Sequence, residues 1–272
     1  MIKSFRWLAL FAPAVLLAVS IHHIVSRAQN PGFDVKARYV KSEHQIPMRD
    51  GKKLFTIVYA PKDTTQKYPF LMQRTPYGSG PYGADAYRPA LGPLPAYTQE
   101  GYIFVYQDVR GTFMSEGVFD DVRPFVPNKK NTQIDEASDT YDTVEWLLKN
   151  IPNNNGRVGV TGISYPGFYA TMAVLAGHPA IKAVSPQAPV ADFWIGDDDH
   201  HHGALFLFES FTFQTFFGMP RPTPTQNQFK NWDMGTNDAY QYFLKQGPLA
   251  KLRESEFKDK NPYWNDVFAH PN

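Results

Sequence analysis

The 272-residue sequence contains no cysteine. This absence excludes disulfide bonds, catalysis by a thiolate and metal sites with cysteine ligands. The sequence also has almost no net charge, because 27 lysines and arginines balance 26 aspartates and glutamates. A formal charge of +1 provides no long-range field for nucleic acid or for an anionic membrane. We therefore expect no nucleic-acid partner.

The sequence has no apolar run of the roughly 20 residues that a membrane-spanning helix needs. Its N-terminal apolar stretch, from Trp7 to Ile21, covers about 15 residues. Lys3 and Arg6 precede this stretch and Ser26-Arg27-Ala28 follows it, an order typical of a secretory signal peptide. We predict that residues 1–28 are an export signal, that the protein is periplasmic or secreted, and that no stable membrane span remains after signal removal. An uncleaved N-terminal anchor is the alternative.

What the sequence does have is material for a large core, with 43% hydrophobic and 15% aromatic residues. Two β-rich runs between residues 38 and 60 flank Met48-Arg-Asp-Gly51, and Asp-Gly at such a position predicts a hairpin. Short apolar runs at 68–73 and 102–107 are typical of strands buried on both faces of a sheet. Residues 75–95 are rich in Gly, Pro and Tyr, which predicts a long loop of the kind that carries function.

Helical spacing of apolar residues predicts a helix over 135–150. A strand at 157–161, a helix reaching about residue 177 and a strand at 181–185 are expected to follow. Strands that alternate with helices after an initial hairpin indicate an α/β fold with a mostly parallel sheet. We assign residues 29–190 to this core.

The turn around Ser164 is the clearest candidate for chemistry. A short apolar strand enters it, Gly162 precedes the serine by two residues, and a helix of small residues follows. Such a strand-to-helix elbow presents a nucleophilic serine in α/β hydrolases. The usual second glycine is displaced, because Pro166 stands two residues after the serine and Gly167 one further on. Proline is tolerated there if it lies in the first helical turn. A structural serine in an ordinary turn is the alternative.

After Pro189 the composition changes, and aromatic residues crowd the next 25 or so positions. We interpret residues 191–272 as an incomplete helical cap, whose aromatic side chains pack together and line a pocket. Trp194 and Phe206 are our candidates for substrate contacts. An exposed aromatic surface would also suit a homo-oligomer interface. No closing element follows the cap, so we expect the chain to be an N-terminal fragment.

Several segments together resemble the CocE/NonD hydrolases, which include cocaine esterase, α-amino-acid ester hydrolases, glutaryl acylases and the Xaa-Pro dipeptidyl-peptidase catalytic domain. Their order and spacing match across roughly residues 38 to 205. The segments are Met48-Arg-Asp-Gly51, Arg74-Thr-Pro-Tyr-Gly78, Gln107-Asp-Val-Arg-Gly-Thr-Phe-Met-Ser-Glu-Gly117, Gly162-Ile-Ser-Tyr-Pro-Gly167 and Gly196-Asp-Asp-Asp-His-His-His-Gly203.

The resemblance implies an α/β-hydrolase fold with a helical cap and a serine acyl hydrolase that needs no cofactor. Ser164 would be the acyl-accepting nucleophile, Tyr165 would offer its backbone N–H to the oxyanion, and Tyr77 would offer its hydroxyl. Losing such a donor typically costs about 2.7–4 kcal/mol of transition-state stabilisation. For Tyr77 the alternative is a loop aromatic packed on the surface.

We interpret the polar residues just after the strand at 102–107 as scaffold for the elbow, braced by charge-assisted hydrogen bonds. They are Asp108, Arg110, Ser115, Glu116 and Gly117.

Residues 197–202 form a run of three aspartates and three histidines, which raises the possibility of a metal site. On a helix only pairs such as Asp198 and His202 would share a face, and the H-E-x-x-H pattern is absent. We therefore assign no metal ligand. A polar helix cap over the pocket mouth is the simplest interpretation, and Asp198 is a candidate to bind the ammonium group of a substrate. A metallohydrolase is kept as a third hypothesis.

A serine hydrolase of this fold carries its acid and its histidine after the nucleophile. His178 precedes Pro179 in a turn, the histidines at 200–202 begin the cap, and His270 lies in cap-like sequence. We therefore expect the catalytic acid and histidine to lie outside these 272 residues. The leading hypothesis is an exported serine hydrolase that acts on ester or amide bonds of small molecules or short peptides, α-amino acyl and Xaa-Pro substrates among them. The alternative is a truncated, inactive binding module.

Overall fold

The structure is a computed structural model. It describes residues 33–192, 198–217, 219, 221, 224–227, 233–258 and 260–269. The predicted signal peptide, Trp194, Asp197 and His270 lie outside these residues.

A β-hairpin opens the fold, as the Asp-Gly pair predicts. Strands β1 (Tyr39–Pro47) and β2 (Lys53–Pro61) pair antiparallel along their whole length. The turn between them includes Gly51 with φ of +83°, a backbone conformation that glycine adopts without steric cost. Strand β2 is an inner strand of the sheet, so most of its residues are buried.

The rest of the main sheet is parallel. Strands β3 (Tyr68–Thr75), β4 (Ile103–Asp108), β5 (Asn154–Ile163) and β6 (Ile181–Gln187) complete a six-stranded sheet in the order β1-β2-β4-β3-β5-β6. The pairs β4–β3, β3–β5 and β5–β6 are parallel. Every residue of β4 is buried, which confirms a strand covered on both faces. The predicted mostly parallel α/β sheet is therefore confirmed.

Up to residue 217, the described chain contains four helices before the end of the sheet and one after it. They are a short α1 (Val35–Arg38), α2 (Pro95–Gln99), α3 (Glu136–Asn150), α4 (Tyr165–Leu175) and, after the last strand of the sheet, α5 (Leu207–Gln214). Helix α3 starts at a capping box in which the Asp135 carboxylate accepts from the Ser138 N–H and the Asp135 N–H donates to the Ser138 hydroxyl, each at 2.8 Å. Its apolar face and that of α4 cover one side of the sheet. The long loop at 76–94 contributes to a second hydrophobic cluster. Leu91 is one of its buried members, and Tyr82 and Tyr87 pack against it.

The residues after β6 depart from the expected polar helix. His200–His201 (β7) and Ala204–Leu205 (β8) form a two-stranded antiparallel ladder instead. The chain reverses between them at His202 and Gly203, both of which have positive φ, and this interrupts any helix. The prediction of a helix at 197–202 is therefore wrong for residues 198–202, the part of this run that the structure describes.

Helix α5 and the later segments form a separate aromatic cluster around the buried side chains of Phe211, Leu252, Phe257 and Trp264. The later helices are α6 (Ala239–Gln246), α7 (Leu249–Leu252), a π-helical turn (Arg253–Phe257) and α8 (Pro262–Ala269). None of the described helices has the length and apolarity to cross a membrane.

Candidate active site

Ser164 stands between β5 and α4 in a left-handed backbone conformation, with φ of +62° and ψ of −125°. A positive φ is uncommon for a residue other than glycine and persists only where the surroundings enforce it. The Ser164 N–H donates to the Gln187 carbonyl at 3.0 Å, and the Ser164 carbonyl accepts from the Phe168 N–H at 3.1 Å. The end of β6 and the first turn of α4 therefore hold the strained residue from both sides.

Two glycines make this turn possible. A Cβ at Gly162 would overlap the Pro166 carbonyl, and a Cβ at Gly167 would lie 2.6 Å from the Gln187 carbonyl oxygen. Gly162 therefore lets β5 meet the start of the helix, and Gly167 lets the helix approach the end of β6. Pro166 is in the first turn of α4, as predicted, where it removes no intrahelical hydrogen bond. This second close approach explains why the second glycine of the motif stands at position 167, one residue later than usual.

A cavity of about 200 Å³ opens beside Ser164. It brings together three of the predicted site residues from separate elements, namely Tyr77, Tyr165 and Asp198. The remaining lining residues are Val190, Asp199, Glu209, Ser210 and Phe213. The last three belong to α5, so this helix forms one wall of the cavity.

Tyr77 lies beside the nucleophile position, because its side chain and Ser164 line the same cavity. Its ring contacts those of Tyr165 and Phe217, with centroids 6.3 Å and 6.1 Å away. Partial burial of the phenol raises the pKa of Tyr77 to about 12, an effect that the neighbouring Ser164 only partly offsets. Tyr77 therefore stays protonated, and able to donate, at any pH near neutrality.

Tyr165 serves the site through both its backbone and its ring. Its N–H belongs to the first residue of α4, where helical N–H groups have no intrahelical acceptor. Its ring is 1% exposed and lies 5.0 Å from the Phe217 ring. Its hydroxyl accepts from the Val122 N–H at 3.0 Å. The ring thus anchors the residue that follows Ser164 at the start of α4, a role that sequence reasoning missed.

The loop after β4 is the brace that the sequence predicts. The Asp108 carboxylate accepts from the Ser79 and Met114 N–H groups and from the Tyr82 hydroxyl, and burial raises its pKa to about 6. The Ser115 hydroxyl donates to the Asp108 carbonyl at 2.6 Å. These bonds join the loop at 76–94, which carries Tyr77, to the end of β4.

Arg110 ties this loop to the hairpin and to α3. Its guanidinium donates to both oxygens of the buried Asp139 at 2.7 and 2.9 Å and to Asp50 at 2.7 Å. Gly117 packs so closely on this side chain that a Cβ would lie 2.8 Å from the Arg110 Cγ. Arg74 continues the network, because it donates to Gln107 at 2.7 Å and to the Glu136 carbonyl at 2.8 Å. Breaking a buried ion pair of this kind by removing one partner typically costs about 3–5 kcal/mol.

Acidic side chains give the cavity its electrostatic character. Asp198, Asp199 and Glu209 line it, and Asp199 is only 5% exposed. Asp121 stands close enough to raise the pKa of Tyr77 slightly. Sequence reasoning named Asp198 as a substrate contact and considered Asp199 only within the run at 197–202. It missed Asp121 and Glu209, because the first comes from a separate loop and the second from α5.

The remaining predicted residues that the structure describes do not line this cavity. Phe206 is 44% exposed and stacks on His201 with ring centroids 5.7 Å apart. His178 hydrogen-bonds with Glu145 at 2.8 Å, away from the elbow. No histidine is among the described residues that line the cavity. In the described part of the chain, no group of three or more His, Asp or Glu side chains is placed to hold a metal ion.

A serine with a positive φ, in a strand-to-helix turn at the end of a mostly parallel sheet, is the arrangement that defines an α/β hydrolase. A sequence profile of the X-Pro dipeptidyl-peptidase (S15) family matches residues 50–271. The chain therefore belongs to this family of esterase- and peptidase-type hydrolases, and the resemblance to CocE/NonD hydrolases is confirmed.

Individual relatives agree with this assignment. The chain is 33% identical to the cocaine esterase of Rhodococcus sp. over 155 residues, which is 57% of this chain and 24% of the esterase. It superposes with a TM-score of 0.73 on an aminopeptidase from the marine sediment archaeon Thaumarchaeota archaeon, at 35% identity, and with the same score on an α-amino acid ester hydrolase, at 32%. Each superposition covers 89% of this chain and 39% of the other. The chain thus spans well under half the length of these relatives.

The elbow geometry predicts that Gly162→Ala is severe although it adds one methyl group. The added Cβ meets the backbone of Pro166 rather than a flexible side chain, so we expect a loss of about 3 kcal/mol in the free energy of unfolding, the upper end for overpacking. Gly159→Ala, in the same strand, is the control, since its nearest neighbour would be Leu71 at an ordinary 3.5 Å. It should cost less than about 1 kcal/mol. Urea unfolding of both variants measures the difference, and equal losses would contradict the account of the elbow.

Proposed function

We propose that this chain is the nucleophile-bearing part of an exported serine acyl hydrolase that cleaves ester or amide bonds through an acyl-enzyme on Ser164. The observation that carries the proposal is that Ser164, at a strand-to-helix turn with positive φ, shares one cavity with Tyr77 and Tyr165. Export rests on the predicted signal peptide alone. The S15 family match and the esterase and peptidase relatives support the reaction class.

In the proposed reaction, the Ser164 Oγ attacks the substrate carbonyl carbon as a base takes the hydroxyl proton. The carbonyl oxygen becomes an oxyanion, which the Tyr77 hydroxyl and the Tyr165 N–H stabilise. Collapse of the tetrahedral intermediate expels the alcohol or amine, which receives the proton, and leaves the acyl group on Ser164. Water then attacks the ester carbonyl and releases the acid. We propose that the base and its acidic partner come from residues other than those the structure describes.

The acidic lining supports a cationic acyl group as the preferred substrate. Asp198 and Asp199 line the same cavity of about 200 Å³ as Ser164, and this volume suits a compact acyl group. An ammonium group there would be attracted by these carboxylates in a partly dehydrated site. The names of two relatives, an aminopeptidase and an α-amino acid ester hydrolase, are consistent with an α-amino acyl substrate. A short Xaa-Pro peptide with a free N-terminus offers the same ammonium group.

A non-catalytic binding module is the second candidate. It is favoured by one observation, namely that no histidine is among the described residues lining the cavity. Such a protein would bind acyl compounds in this cavity without turnover.

Hydrolysis of a p-nitrophenyl ester by the protein purified from its source tests the serine mechanism. Ser164→Ala should abolish turnover, and Tyr77→Phe should lower kcat about 10²–10³-fold with little change in KM, because its hydroxyl acts on the oxyanion. Tyr97→Phe is the matched control, since its ring packs on Tyr102 outside the cavity. Full activity of Tyr77→Phe would contradict the oxyanion role, and inhibition by excess chelator would favour a metallohydrolase instead.

The substrate preference has its own test. Asp198→Asn should lower kcat/KM about tenfold, equivalent to ~1.4 kcal/mol, for an α-amino acyl ester, since one of the carboxylates facing the ammonium group is lost. The same ester without the amino group serves as the control and should be hydrolysed at an unchanged rate. A parallel loss on both esters would show that Asp198 acts on the fold of the cavity and not on substrate charge.

A further inference from the structure

Ser210, on helix α5, carries a hydroxyl group that the proposed reaction does not use. The residue lines the same cavity as Ser164 and is only 3% exposed. Its Oγ atom is fully buried and forms no hydrogen bond with any residue that the structure describes. Buried polar groups in folded proteins are nearly always paired, because an unpaired one loses its hydration without compensation. The hydroxyl group therefore lacks a partner that a ligand in the cavity could supply.

The helix backbone could have satisfied this hydroxyl group. A serine or threonine inside a helix can donate to the carbonyl group one turn earlier. Thr212, two residues further along α5, does so, because its hydroxyl donates to the Phe208 carbonyl at 2.7 Å. The Phe206 carbonyl is the corresponding acceptor for Ser210, and it accepts the Ser210 N–H at 2.9 Å but not the hydroxyl. The two hydroxyl groups of one helix thus differ, and that of Ser210 does not support the helix.

The side chains next to Ser210 on the helix leave it unpaired as well. Gln214 lies one turn further along α5, and its side-chain carbonyl oxygen is also buried without a partner among the described residues. Glu209 and Phe213 line the cavity with Ser210, and neither forms a hydrogen bond with its Oγ. The hydroxyl group remains available to a polar group that enters the cavity.

The charge of the cavity determines which group would bind there. Asp198, Asp199 and Glu209 line it together with Ser210, and no lysine, arginine or histidine is among the described lining residues. An anion would be repelled by these carboxylates, whereas an ammonium group would be attracted. A primary ammonium group has three N–H donors, and each needs an acceptor when the group leaves water. Carboxylate and hydroxyl oxygens both serve as acceptors.

We propose that Ser210 is a specificity-determining residue that accepts a hydrogen bond from a primary ammonium group of the substrate. In this arrangement the carboxylates compensate the charge of the ammonium group, and the Ser210 Oγ satisfies one of its N–H donors. The residue thereby distinguishes a primary ammonium group from a quaternary one, which has the same charge and no N–H. The inference rests on the proposed function for its substrate, but the recognition can be measured without turnover.

The first test is the stability of Ser210→Ala in the absence of ligand. The substitution removes a hydroxyl group that loses its hydration on folding and gains no partner, so the melting temperature should rise by about 2–4 °C. Alanine also has a higher helix propensity than serine or threonine, and Thr212→Ala on the same helix is the matched control for this effect. Because Thr212→Ala removes a hydrogen bond that is already made, its melting temperature should rise less or fall.

The second test is the binding of benzylammonium and benzyltrimethylammonium to the purified protein, measured by calorimetry. Ser210→Ala should bind benzylammonium about tenfold more weakly than the parent, because a hydrogen bond to a charged group is lost. Its affinity for benzyltrimethylammonium should be unchanged, because this cation has no N–H to donate. Asp198→Asn should weaken the binding of both cations, since it removes a charge. Thr212→Ala should bind both as the parent does.

The outcomes separate this inference from the proposed function. A melting temperature that falls in Ser210→Ala, or that rises no more than in Thr212→Ala, would show that the hydroxyl supports the fold and would overturn the inference. An unchanged affinity for benzylammonium, or an equal loss for both cations, would overturn the role in specificity. Both expected results in a protein that fails to hydrolyse esters would uphold the inference for a binding cavity and refute the proposed hydrolase. Hydrolysis that depends on Ser164, with binding that does not depend on Ser210, would refute this inference alone.

Discussion

The left-handed backbone at Ser164 is the constraint on which the rest of the site depends. It places the serine in the turn between β5 and α4, where Tyr77 of the loop at 76–94 and residues of helix α5 line the same cavity. A positive φ at a residue other than glycine is unfavourable on its own. It is maintained here because β6 accepts the Ser164 N–H, and because Gly162 and Gly167 allow two backbone approaches that any side chain would block.

The buried ion network extends this constraint to the oxyanion side. Asp139 receives two hydrogen bonds from Arg110, and Arg110 also reaches Asp50 in the hairpin turn. Asp108 then connects the end of β4 to the loop that carries Tyr77. Three segments that are distant in sequence are thereby fixed to one another. An oxyanion donor on a loop can be placed to within a hydrogen-bond length only if the loop has such support.

The sheet and the elbow could be predicted from the sequence because both depend on local patterns. Alternating strands and helices, the Asp-Gly turn and the Gly162-x-Ser164 pair each act within a few residues. Asp121, Glu209 and the ring of Tyr165 were missed because their roles arise only when distant segments meet. The run at 197–202 was misassigned for a different reason. It has no apolar periodicity, and positive φ at His202 and Gly203 makes a hairpin turn that composition does not reveal.

The central claim is that Ser164 is a nucleophile, and a fluorophosphonate probe tests it most directly. The probe would be applied to an extract of the source, followed by intact mass measurement and mapping of the modified residue. The account predicts a single adduct, on Ser164. A protein that takes up no probe, or that takes it up only at another residue, would contradict it, and the absence of any adduct would favour the binding module.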